Sequence, residues 1–144
     1  MKKLNEKATR IFCRLLEKLK EEDYTRLTAE GYMPLTIEKI GWNIQTQEGK
    51  ANQYSLCHYY NQNGDMMRDP EMGFLVIDNR TAPNEYKLIS IYPQFYQQDN
   101  EAIYEESISI TSGKVSNYIK TWQDAHCAFA NLWLQNIQQQ GFIK

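Results

Sequence analysis

The sequence predicts an α+β domain: an N-terminal helix, a sheet of about five mostly antiparallel strands in a meander, and a long C-terminal helix packed on one sheet face. Three observations predict it. Apolar residues recur at three and four positions near both ends of the chain. Between them the period drops toward two. The segments of period two are joined by turns too short for crossover helices. With 144 residues, 42% apolar and 24% charged, the chain has the size and composition of one domain with its own core, residues 1–144.

Residues 1–22 form the first element. Leu4, Ala8, Ile11, Phe12, Leu15, Leu16 and Leu19 make one apolar stripe, and the opposite face is basic. Asn5 is the candidate N-cap. Residues 31–41 (GYMPLTIEKIG), bounded by glycines and holding Pro34, read as a connector anchored by Leu35, Ile37 and Ile40.

The sheet is expected over residues 42–110. Its strands are residues 42–48, 53–60, 73–78, 86–96 and 102–110, rich in aromatic and β-branched side chains. Asn63-Gly64 is a two-residue hairpin signal, because both central positions of a type I′ turn need positive φ. Ser112-Gly113 ends the sheet. Residues 114–140 read as the C-terminal helix, with Val115, Ile119, Trp122, His126, Phe129, Trp133 and Ile137 as its stripe and Gly141 as its stop.

Net charge −2 and a pI near 5.7 argue against a protein whose main task is coating phosphate backbones. The charge is uneven: residues 1–20 hold seven Lys/Arg against Glu6 and Glu17. That makes residues 2–20 the candidate nucleic-acid contact. Three cysteines without a CxxC motif favour a reducing cytoplasm over a disulfide framework. The basic N-terminus lacks the continuous apolar run of a signal peptide, and no run reaches membrane-spanning length, so no membrane association is expected.

Residues 57–72, CHYYNQNGDMMRDPEM, carry the densest chemistry. With the turn at Asn63-Gly64, residue 62 pairs with 65, 60 with 67, and 58 with 69. His58 then faces Asp69, and a hydrogen bond between them would raise the imidazole pKa. His58, Asp65, Asp69 and Glu71 are also the candidate ligands for a divalent metal. A calcium-loop reading fails, because the glycine falls at the fourth position and strands flank the loop. The dipeptides Cys57-His58 and His126-Cys127 each offer one ligand to any one site, since neighbours diverge on strand and helix alike. Asp78 with Glu85-x-Lys87 resembles a metal-dependent nuclease constellation. Tyr92, Phe95, Tyr96 and Tyr104 could stack bases, but they run into Asp99, Glu101, Glu105 and Glu106.

His58-Tyr-Tyr-x-Gln-Asn-Gly-Asp65 followed by Asp69-Pro-Glu-Met72 resembles the signature of an uncharacterised bacterial family, a domain of unknown function met in plasmids, conjugative transposons and phages. Gly31-Tyr-Met-Pro-Leu35 and Tyr96-Gln-Gln-Asp99 with Tyr104 fit the same picture, over roughly residues 30–110. The resemblance implies a small cytoplasmic accessory protein of mobile elements. It attaches no activity to the motif, only joint importance to His58, Gln62, Asn63, Gly64, Asp65, Asp69, Pro70 and Glu71. The favoured expectation is therefore a non-enzymatic interaction module, without cofactor, that meets a protein partner or a second copy of itself. The alternatives are a divalent-metal enzyme acting on nucleic acid or a phosphoester, and a nucleic-acid-binding module using the basic first helix.

Overall fold

The structure is a computed structural model and describes residues 1–143. Helix α1 spans Glu6–Leu19 and α2 spans Lys120–Gln139. Eight strands lie between them: β1 Tyr24–Leu27, β2 Leu35–Thr46, β3 Gly49–Gln62, β4 Asp65–Asp78, β5 Ile89–Gln98, β6 Ile103–Glu106, β7 Ile108–Thr111 and β8 Lys114–Tyr118. The expected order of helix, mostly antiparallel sheet and helix is present, and Asn5 caps α1 by accepting from the Ala8 amide at 2.8 Å. The expected strand number is too low by three: β1 was not anticipated, residues 102–110 make two strands, and residues 114–118 make a further one.

Residues 35–41 are not a connector. They open β2, which continues through Gly41 by register shifts on either side of that glycine. Pro34 sits just before the strand, where its missing N–H costs no ladder bond. The stretch expected as one strand over 102–110 breaks at Ser107 into β6 and β7. Residues 114–118 are strand, not helix. Ser112 and Gly113 both have positive φ, 52° and 73°, and make a second two-residue hairpin between β7 and β8. Val115 and Ile119 match the helical spacing of α2 without belonging to it.

The sheet order is β6-β5-β4-β3-β2-β8-β7, with β1 on the first half of β2. Strands β2 to β6 form the expected meander; β8 joins β2 in parallel. The two edge strands, β6 and β7, are consecutive in the chain. The sheet therefore curls until its edges meet at Ser107. The Ser107 amide donates to the Gln94 carbonyl at 2.9 Å, and the Ser107 carbonyl accepts from the Ile119 amide at 2.8 Å.

Alternation along the strands makes two cores. Both helices pack on one face, against Leu35, Ile37, Leu56, Met72, Phe74, Val76 and Ile91. Inside the curl, Ile44, Ala51, Leu75, Ile77, Tyr92 and Ile108 form a smaller cluster. Gln94 ties this inner face together: it accepts from Gln53 Nε2 at 2.7 Å and donates to the Ile108 carbonyl at 2.8 Å. The buried face of α2 is Gln123, His126, Cys127, Ala130, Trp133, Leu134 and Ile137, so Trp122 and Phe129 lie on its exposed flank instead of at the stripe's centre.

Candidate functional site

The β3–β4 hairpin carries the motif as expected at its tip. Asn63 and Gly64 have φ of 52° and 92°, and the Gly64 amide bonds Asn61 Oδ1 at 2.9 Å. Gln62 pairs with Asp65, and Tyr60 with Met67. Beyond that the register departs from expectation. Tyr59 pairs with Arg68 and Cys57 with Glu71, so β4 has an extra residue across from His58, at Asp69-Pro70.

The bulge redirects the chemistry. Asp69 accepts from Gln98 Nε2 at 2.9 Å. The expected His58–Asp69 hydrogen bond is not formed. The His58 ring turns into the helix side of the sheet, where its Nδ1 lies 3.2 Å from the carbonyls of both Met33 and Pro34. Two carbonyl acceptors require Nδ1 to carry the proton. The ring packs against Trp133 and Phe142, with centroids 5.7 and 5.5 Å away. Burial lowers the His58 pKa, against the smaller raising influence of its backbone partners and Asp69. The expected raised pKa is thus reversed in direction: His58 is a neutral clasp that holds the Met33-Pro34 loop to the sheet.

That shift has a measurable consequence. In the unfolded chain the imidazole protonates at about 6.5, but in the fold only at lower pH. The unfolded state therefore binds the extra proton first, and the contribution of His58 is present above about 6.5 and lost as pH falls below it. Urea midpoints at pH 7.5 and 5.5 are expected to differ more for the native chain than for His58→Gln. Equal differences would show that His58 is not the group responsible.

On the other face, Glu71 accepts from Ser55 Oγ at 2.6 Å and lies 3.7 Å from Arg68 Nη1. Arg68 gives its backbone amide and its Nε to Asp99 Oδ2, both at 2.9 Å, and Nη1 to Gln97 at 3.1 Å. The Arg68 bonds hold the Asp99 carboxyl below its ordinary range. Asp65 stays exposed at the hairpin tip. The candidate ligands His58, Asp65, Asp69 and Glu71 thus point to different surroundings. Among the described residues no three His, Cys, Asp or Glu side chains come together as a metal site.

The other sequence constellations are also dispersed. Asp78 pairs with Arg80 at 2.9 Å, while Glu85 accepts from Thr81 and Ala82 within its own turn. Burial pushes the Cys57 thiol up to about 12, and burial likewise raises Cys13 and Cys127, so none of the three is activated as a nucleophile. Tyr92 and Phe95 are buried, whereas Tyr96 lies on the helix face against His126 and Phe129. No common stacking platform results.

The signature stretches do meet elsewhere. A cleft of about 600 Å³ opens beside the hairpin. Met33 and Pro34 come from the Gly31–Leu35 stretch; Tyr59, Tyr60 and Asn61 come from the His58–Asp65 stretch. Tyr24, Arg26, Thr36 and Met66 complete its lining. The His58 clasp joins the two stretches from behind. Sequence reasoning missed this cleft because β1 was not recognised as a strand, and β1 supplies Tyr24 and Arg26. A second cleft, about 670 Å³ and flanked by residues 45–48 and β8, contains no residue of the signature.

A family model described as a domain of unknown function, DUF6908, matches residues 7–143. The chain belongs to this family. The DUF6908 match takes in both helices and the curled sheet, well beyond the roughly 30–110 covered by the sequence resemblance. The clasp, the bulge and the cleft of this DUF6908 domain therefore all fall within the matched region. No curated protein and no solved structure shows significant similarity to the chain. Among the described residues no helix is long and apolar enough to cross a membrane.

Proposed function

We propose that this domain is a non-enzymatic interaction module that holds an extended segment of a partner protein in the cleft beside the β3–β4 hairpin. The observation that carries the reading is the convergence of the two signature stretches on one concave surface, with His58 clasping them together. The lining suits protein recognition. Tyrosine and arginine are enriched among interface hot spots, and methionine adapts its shape to a partner. A volume near 600 Å³ accommodates one or two apolar side chains. The hairpin's carboxylates Asp69 and Glu71 are engaged by Gln98, Ser55 and Arg68, so their chemistry is turned to holding shape. The resemblance to accessory proteins of mobile elements supports the same role, carried out in a bacterial cytoplasm.

Site-specific photo-crosslinking in cells tests this. A photoreactive residue at Tyr24 or Met66 is expected to give one adduct of defined mass, and the same residue at exposed Leu88 or Leu132 none. Combining the probe with Arg26→Glu is expected to abolish the adduct. Identical adducts from all four positions, no adduct at all, or an adduct at twice the chain's own mass would each overturn the partner-protein reading.

A further inference from the structure

A separate surface lies on α1. Lys7, Arg10, Arg14 and Lys18 stand at steps of three, four and four residues. At 100° per residue they fall within an arc of about 80°, spread along about 16 Å of helix. The buried face of α1, centred on Ala8, Phe12, Leu15 and Leu19, is opposite. Arg10 makes one weak exposed ion pair, to Glu6 at 3.5 Å, and its guanidinium also lies over the Tyr86 ring. Lys7, Arg14 and Lys18 are in no ion pair among the described residues. Lys7, Arg10 and Lys18 of this row are exposed, and Arg14 between them is half-buried.

We infer that this row is a contact surface for the phosphate backbone of double-stranded DNA. Four cations fixed on one rigid helix suit a dense, regular anion, and duplex DNA carries one charge per about 1.7 Å of axis. A single strand is gripped by aromatic platforms within a basic groove. The aromatic ring beside the row, Tyr86, is covered by the Arg10 guanidinium at 4.6 Å. The row has no such platform to offer. A second copy of the chain is also a poor occupant. Of the acids of the β5–β6 region, Asp99 is engaged by Arg68, Glu105 by His126 and Glu106 by Tyr104, which leaves Glu101 alone without a hydrogen bond among the described residues. With a net charge of −2 the contact is local, and contacts to phosphate alone carry no sequence information, so binding is sequence-independent and salt-sensitive.

The test uses the full chain and a fluorescein-labelled mixed-sequence duplex, read by anisotropy. Four phosphate contacts predict a log–log salt slope near about −3.6, or about a 150-fold loss of affinity between 50 and 200 mM salt. Lys7→Gln with Lys18→Gln, both exposed, is expected to halve the slope and reduce that loss to about 12-fold, with an unchanged melting temperature. Four results would overturn the inference: no binding at 50 mM salt, a slope unaltered by the double substitution, tighter binding to the single strand, or equal binding to labelled poly-glutamate. None of them bears on the cleft, whose crosslinks are read separately.

Discussion

Gly73→Ala is expected to destabilise the fold by about 1–3 kcal/mol, although alanine is the smallest possible addition. Gly73 lies in β4 directly across from Phe95 in β5. The Phe95 ring lies over it so closely that a Cβ would sit 2.0 Å from Cε2 and 2.2 Å from Cδ2. No positive φ is involved; the glycine is required by the ring alone. Phe95 is itself buried, with Tyr104 of β6 tilted against it at 5.9 Å. An aromatic ring lying across a glycine on the neighbouring strand restores the cross-strand contact that the glycine lacks. Adding a methyl group forces the ring out, exposes it and loosens β6. The check is a double-mutant cycle in urea. Phe95→Leu clears the space, so Gly73→Ala should cost clearly less in that background than in the native chain. Strict additivity would mean that the ring is not what excludes the methyl.

The Gly73–Phe95 pairing shows what the sequence could and could not reveal. The strand containing Gly73 was legible from its branched and aromatic run, and the hairpin tip from Asn63-Gly64. Local chemistry decides both: positive φ at two positions, and alternation on a pleated surface. The partner of Gly73 was not legible, because β5 carries an extra residue, Gln94, between Pro93 and Phe95, which shifts the register with β4. A shift of one residue moves every later side chain to the other face. A separate shift, the extra residue at Asp69-Pro70 in the β3–β4 ladder, took Asp69 away from His58, and burial then lowered the histidine's pKa instead of raising it. Signals local to a turn survive such shifts; pairings counted outward from the turn do not.

The C-terminal region failed for a different reason. Val115 and Ile119 fit the helical period of α2, and Ser112-Gly113 reads equally well as an end or as a hairpin. What decides is tertiary: β8 has an edge of β2 available to pair with, at Gln45. The cleft was hidden in the same way. Its lining comes from β1, a loop and three further strands, and the short β1 gains its strand character from pairing with β2. The motif residues share one hairpin but not one site: His58 clasps a loop, Asp69 and Glu71 bond Gln98 and Ser55, and the cleft is lined by their neighbours Tyr59, Tyr60, Asn61 and Met66.

The second large effect is expected at His126, where the curled sheet is fastened. Its ring is buried, with Nε2 2.8 Å from Glu105 Oε1 and Nδ1 3.1 Å from Ser107 Oγ, and it stacks on Tyr96 at 5.7 Å. Ser107 is the residue at which β6 becomes β7, so one side chain from α2 holds both edges of the sheet. His126→Leu keeps most of the volume but removes both hydrogen bonds and the ring stacking. The expected cost is about 2–4 kcal/mol, because two hydrogen bonds of a buried side chain and an aromatic contact disappear together. A general loss of stability would not by itself identify a fastening role; its location does. The amides of Ser107 and Ile119 make the bonds that close the curl, to Gln94 and Ser107 respectively. In His126→Leu these two amides should exchange with solvent by local opening, faster than the amides of the β3–β4 ladder, whereas in Leu134→Ala, a cavity beneath the same helix, all should accelerate together. If both variants accelerate exchange uniformly, the closure is held by the sheet's own ladders, and His126 is an ordinary core residue.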